Sequence, residues 1–172
     1  MIKTRKAEGG DIPQLLSIYN DIILTTTAVF EYKTHTLKMR EEWFEIKKQQ
    51  GFPVIVAEEA GDIVGFSSFG PFRNWAAYKY SVENSVYVAK DKRGKGIGKL
   101  LLEPLIDGAT RMEFHTMIAS IEATNDSSIK LHRRFGFEEV ANFKQVGFKF
   151  GRWLDLKFLQ LLLEGPRQPV EG

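Results

Sequence analysis

Asp91-Lys92-Arg93-Gly94-Lys95-Gly96-Ile97-Gly98-Lys99 decides how this chain is read. Before it, Ser81 to Val88 alternates like a strand; after it, Ile97, Leu100, Leu101, Leu105, Ala109 and Met112 recur at helical spacing. The segment is therefore a strand-to-helix turn. Its glycines let a backbone come close to a ligand with the N–H groups exposed. The helix start adds unpaired donors and the positive end of a dipole, which favour a phosphate. Lys92, Arg93, Lys95 and Lys99 add positive charge, and a solvated basic turn is the plain alternative. A P-loop does not fit, because Gly98-Lys99 is followed by Leu100 and Arg93 stands where the first glycine belongs. A dinucleotide fingerprint does not fit either: the glycines fall at 94, 96 and 98, and Lys99 takes the last required place.

Working outward, Val82, Val86 and Val88 share one face of the preceding strand and Glu83, Ser85 and Tyr87 the other. Ile2 to Ala7 reads as a first strand. Asp11 caps a helix with Pro13 in its first turn, continuing through Leu15, Leu16, Ile18 and Tyr19. Leu37 to Gln50 reads as a second helix, with a stripe of Met39, Trp43, Phe44 and Ile46. Val54 to Glu58 and Ile63 to Phe69 form a hairpin about Ala60-Gly61-Asp62. Downstream, Pro104 is expected to kink its helix. Met117 to Ile121 is another strand, Asn125 or Asp126 opens a helix that stops at Gly136, and Phe137 to Leu163 holds two more strands. The sum is an α+β domain: a mixed, mostly antiparallel central sheet flanked by helices. One domain is expected over residues 1–164, with a flexible tail over 165–172.

Composition limits the function classes. In 172 residues there is no cysteine, which removes disulfide scaffolds, thiol nucleophiles and thiolate metal sites and suits a reducing compartment. A net charge of +2 is too balanced for a nucleic-acid coat, so any anion site is local. No apolar run is long enough for a membrane span. Met1-Ile2-Lys3-Thr4-Arg5 lacks the apolar stretch of a signal peptide, and a cytoplasmic location is expected. His35 and His115 are isolated, so no metal is expected.

The run Arg93-Gly94-Lys95-Gly96-Ile97-Gly98 fits Q/R-x-x-G-x-G/A and, behind Val86-Tyr87-Val88, resembles the acetyl-CoA loop of the GNAT superfamily of N-acetyltransferases. A second stretch, Asn125 to Phe137, resembles the GNAT segment in which an asparagine opens a helix ending in Gly-Phe. Asn125, Ser128 and His132 share one face of that helix. Within the superfamily the chain is most similar to the phosphinothricin and methionine sulfoximine acetyltransferase group. The stretches Glu83 to Val88, Ser128 to His132 and Val146 to Asp155 carry that likeness.

The resemblance implies direct acetyl transfer from acetyl-CoA to the α-amine of a small amino acid or analogue, in a ternary complex. Attack needs a neutral amine, a minor form at neutral pH for a group with a pKa near 8. A positioned base helps by roughly 10²–10⁴-fold. Glu83 matches the group's glutamate beside the cofactor, acting directly or through water; a surface pair with Lys79 is the plain alternative. Backbone N–H groups around Val86 and Val88 would face the developing oxyanion, and a splayed strand there would let pantetheine pair like an extra strand. Asn125 and Ser128 would meet the pantetheine arm. Many relatives carry a thiolate-protonating tyrosine at the position of His132; a histidine there either serves as that acid or is a bonded, partly buried residue. Arg73 suits a substrate carboxylate. Phe30, Glu31, Trp75 and Lys149 would line the pocket, with core or dimer packing open for Phe30 and Trp75. The resemblance also implies a homodimer through the C-terminal strands. Two other readings stay open: a protein N-terminus, polyamine or aminoglycoside as acceptor, or a CoA-binding regulatory module without catalysis.

Overall fold

The computed structural model describes residues 1–171. Among them the elements run β1 (Ile2–Lys6), α1 (Ile12–Thr25), α2 (Leu37–Gln49), β2 (Val54–Glu59), β3 (Asp62–Pro71) and β4 (Ser81–Val88). They continue with α3 (Ile97–Arg111), β5 (Thr116–Glu122), α4 (Asp126–Arg134), β6 (Glu138–Lys149) and β7 (Arg152–Leu162). The strands make one seven-stranded sheet of order β1-β2-β3-β4-β5-β7-β6. The β4–β5 pair is parallel, while β1–β2, β2–β3, β5–β7 and β6–β7 are antiparallel. The chain divides into two compact units.

The first unit holds Met1–Ser68 and Ser85–Leu105. α1 places Leu15, Ile18, Ile22 and Ile23 on one face, and these pack with Val54, Val56, Ile63 and Phe66 of the hairpin. Asp11 precedes α1 as expected, but its carboxylate does not cap α1; it completes the capping box of the short turn Gly9–Asp11. It accepts from Arg5 at 2.7 and 2.9 Å and from the Glu8 N–H at 2.8 Å. A guanidinium within reach is a stronger partner than the helix's own amides. The β2–β3 turn places Ala60 and Gly61 at φ +54° and +93° between the pair Glu59↔Asp62, a tight primed hairpin.

The stripe read along α2 is shifted. Met39 and Ile46 are exposed at 45% and 52%, whereas Arg40 is 3% exposed. The guanidinium of Arg40 lies 3.9 Å from the Tyr19 ring centroid and 4.7 Å from that of Trp43. Stacked on two aromatic faces, an arginine fills a position that hydropathy reserves for an aliphatic side chain.

The second unit holds Phe69–Asn84 and the chain from Ile106 onward. Met117, Ala119, Ile121, Ile129, Phe137, Leu154 and Leu159 are among its buried apolar residues around β5 and its neighbours. β6 and β7 form a long hairpin closed by Lys149↔Arg152, with Phe150 and Gly151 at φ +50° and +73°. Residues 165–171 have no regular secondary structure, yet they are tied at two points. His115 Nδ1 donates to the Gly165 carbonyl at 3.0 Å, and the Tyr80 hydroxyl exchanges hydrogen bonds with the Val170 backbone at 3.0 and 3.2 Å.

Candidate active site

The glycine-rich turn lies in the first unit. Gly94 and Gly96 adopt φ +76° and +80°, a region that disfavours any residue with a Cβ. Ile97, 1% exposed, anchors the start of α3 in the core. The Lys99 N–H turns back to the Gly96 carbonyl at 3.1 Å. Among the described residues the amides of residues 94–98 donate to no backbone carbonyl, so the turn offers a set of free donors at a helix N-terminus. The four cations read as one cluster divide in two. Lys92 is paired with Glu59 at 2.7 Å, which holds the carboxyl of Glu59 below its ordinary range. Arg93 Nε donates to the Val88 carbonyl at 3.1 Å, while Lys95 and Lys99 are exposed.

β4 leads into this turn. Its ladder with β5 covers Ser81↔Thr116, Val82↔Met117 and Glu83↔Ile118, and Ser85 to Val88 take no part in it. Val86, Tyr87 and Val88 lie beyond the end of that ladder. The Tyr87 ring packs in the first unit, 5.1 Å from Phe66 and 5.3 Å from Tyr19 between centroids, so its backbone rather than its side chain is what it can offer a ligand. Glu83 is half-buried, and among the described residues no ion pair joins it to Lys79 or any other cation. The alternation expected along β4 holds for Val82, which is fully buried. The next residue of the same parity is Asn84, 7% exposed.

In the second unit α4 brings three of the expected residues onto one face. Asn125 opens the helix, its Oδ1 accepting from the Ser128 N–H at 3.2 Å, which leaves the amide NH₂ as the available donor. His132 is 3% exposed. Its Nδ1 lies 2.8 Å from the Ser128 carbonyl and 3.4 Å from Ser128 Oγ, and its Nε2 lies 3.0 Å from Asn84 Oδ1. Burial pushes this imidazole below its ordinary pKa, and the hydrogen bond to the Ser128 carbonyl opposes that only in part. Both ring nitrogens are engaged.

The expected substrate residues are divided between the two units. Arg73 is exposed; its Nη1 donates to the Phe72 carbonyl at 2.7 Å and its guanidinium sits 4.0 Å over the Phe72 ring. Trp75, in the same loop, is 73% exposed. Lys149 is buried at the end of β6, its ammonium 5.1 Å from the Phe150 ring. Phe30 and Glu31 belong to the first unit, in the exposed segment between α1 and α2.

Two residues with structural weight were not singled out from sequence. Asn84 is the polar residue in the valine face of β4, and that interruption of the parity was its signal. Arg40 gave none. Its Nη2 donates to His35 Nδ1 at 3.3 Å, and its Nε is buried without a partner; burial, and then the guanidinium charge of Arg40, hold the His35 imidazole below its ordinary pKa.

A family model described as the acetyltransferase (GNAT) domain matches residues 4–157. The chain belongs to the GNAT acetyltransferase family. It is 46% identical to an L-methionine sulfoximine/L-methionine sulfone acetyltransferase of Pseudomonas aeruginosa over 95% of each chain. The crystal structure of a GNAT superfamily phosphinothricin acetyltransferase from Sinorhizobium meliloti in complex with AcCoA superimposes with a TM-score of 0.95 at 38% identity, covering 99% of this chain and 94% of that one. A structure named ribosomal-protein-alanine N-acetyltransferase, from Brucella melitensis, gives a TM-score of 0.92 at 49% identity over 94% and 99% of the two chains. As a GNAT acetyltransferase the protein is an enzyme that draws its acetyl group from acetyl-CoA. Among the described residues no helix is long and apolar enough to cross a membrane, and no three His, Asp or Glu side chains converge as metal ligands.

Proposed function

We propose that this GNAT enzyme acetylates the α-amine of a small amino acid or amino-acid analogue, of the kind that methionine sulfoximine and phosphinothricin exemplify. The observation that carries the reading is the 46% identity, over 95% of both chains, to the Pseudomonas aeruginosa enzyme named for methionine sulfoximine and methionine sulfone.

The residues fit the cosubstrate. The free amides of residues 94–98 would hold a pyrophosphate, and Arg93, Lys95 and Lys99 add charge around it. The backbone of Val86 to Val88, outside the β5 ladder, would pair with the pantetheine arm, and the Asn125 amide and Ser128 would meet it from α4. Acetyl-CoA supplies an activated thioester. On the protein side, Glu83 accepts the proton of the substrate ammonium, directly or through water, and strand N–H groups near Val86 and Val88 face the carbonyl oxygen as it gains negative charge. Transfer is direct, with no acyl-enzyme. His132, with both nitrogens engaged, is left out of the proton traffic. Arg73 would turn from its own loop carbonyl to the substrate carboxylate, and Phe30, Glu31, Trp75 and Lys149 would line the acceptor side.

The enzyme is further proposed to be cytoplasmic and homodimeric. β6 is an edge of the sheet, and Val140, Phe143, Val146 and Phe148 on it are 46–56% exposed, a patch suited to a second copy.

A thiol-release assay with acetyl-CoA across methionine sulfoximine, phosphinothricin, free amino acids, peptides and aminoglycosides tests the acceptor class. Highest kcat/KM on the amino-acid analogues supports the proposal. Preference for a peptide N-terminus, the reading that the Brucella melitensis likeness favours, overturns it.

A further inference from the structure

Asn84 occupies a position where an aliphatic side chain would pack at no polar cost. It lies on the buried face of β4, two residues after Val82, and is 7% exposed. A buried amide without partners is costly, so both ends need a bond. Asn84 Nδ2 donates to the Ile118 carbonyl at 3.3 Å, and Oδ1 meets His132 Nε2 at 3.0 Å. His132 continues the chain to the Ser128 carbonyl at 2.8 Å. A polar thread thus runs from β5 through β4 into α4.

Its place in the ladder matters. The parallel pairing ends at Glu83↔Ile118, and the side chain of Asn84 takes the Ile118 carbonyl at the point where β4 leaves β5. The bond to Ile118 fixes which way the amide faces. With Nδ2 on that carbonyl, Oδ1 faces the ring and His132 Nε2 is the donor to it.

We propose that Asn84 is a positioning residue for acetyl transfer. Through His132 it fixes the end of the β4 ladder, and with it the adjoining Glu83, against α4, the helix that carries Asn125 and Ser128. This rests on the reading of Glu83 as the base.

The test is a double-mutant cycle read by thiol release with acetyl-CoA and methionine sulfoximine: parent, Glu83→Gln, Asn84→Ala and the double variant. Asn84→Ala is expected to lower kcat at least tenfold with KM for acetyl-CoA within threefold. In the Glu83→Gln background the same change is expected to cost less than threefold more. Equal losses in both backgrounds overturn the proposal while leaving Glu83 as base. No loss in Glu83→Gln alone sinks the base reading and this proposal with it. Should alanine not fold, Asn84→Asp, which keeps an oxygen toward Nε2 but loses the donor to the Ile118 carbonyl, is expected to lower kcat at least tenfold. An aspartate variant that melts with the parent and keeps kcat within threefold of it overturns the proposal.

Discussion

Gly65 stands against the backbone of Tyr87: a Cβ built on Gly65 would lie 2.8 Å from the Tyr87 carbonyl oxygen and 3.0 Å from Leu101 Cδ1. A carbon that close to a carbonyl forces backbone to move. The strand it would push carries Val86 to Val88, the backbone proposed to pair with pantetheine. Gly65→Ala is expected to destabilise the protein by about 1–3 kcal/mol, the usual range for overpacking. It is also expected to weaken acetyl-CoA binding at least fivefold, read by thermal melts with and without acetyl-CoA. A variant as stable and as tightly binding as the parent would show that β4 yields freely there.

Glu83→Gln is expected to lower kcat at least tenfold near neutral pH with the Kd for acetyl-CoA within twofold. The amide keeps the shape and loses the capacity to take a proton. Turnover equal to the parent would remove Glu83 from the mechanism.

His132 gives a pH signature in stability. Its folded pKa lies below the ordinary value of about 6.5, because burial disfavours the imidazolium. Above pH 6.5 both folded and unfolded rings are neutral and the group contributes no pH dependence. As pH falls below 6.5 the unfolded ring takes a proton that the folded ring refuses, so stability falls by up to about 1.4 kcal/mol per pH unit until the folded ring titrates. Urea melts from pH 7 to 5 are expected to show a shallower loss for His132→Gln than for the parent. Identical slopes would mean that the folded ring protonates freely.

Much of this was legible in the sequence because its signals are local. Gly94 and Gly96 announced the turn, the valine parity announced β4, and Asn125 announced the start of α4. What the sequence hid depends on partners far along the chain. Asn84 meets His132 across 48 positions, and without that pairing an asparagine in a strand reads as incidental. Arg40 looked like an exposed charge because cation–π stacking on Tyr19 and Trp43 leaves no trace in hydropathy. Asp11 read as the cap of α1 because capping is a local rule; its carboxylate serves the turn before α1 and Arg5 instead.

Arg73 now donates to the Phe72 carbonyl, an interaction a substrate carboxylate can replace with a stronger charged one. Arg73→Ala is expected to raise KM for amino-acid acceptors at least tenfold and for simple amines less than threefold. Equal effects on both would undo the carboxylate assignment.

The central claim is that the amides of the turn before α3 grip a pyrophosphate, and titration calorimetry tests it on Gly96→Val with coenzyme A and with pantetheine, which lacks the pyrophosphate. At φ +80° a branched side chain is strained, so the turn must reshape. The expected result is a loss of at least tenfold in coenzyme A affinity, with pantetheine binding the parent and the variant alike. Coenzyme A binding that is equal in the two proteins, or absent from the parent, would contradict it.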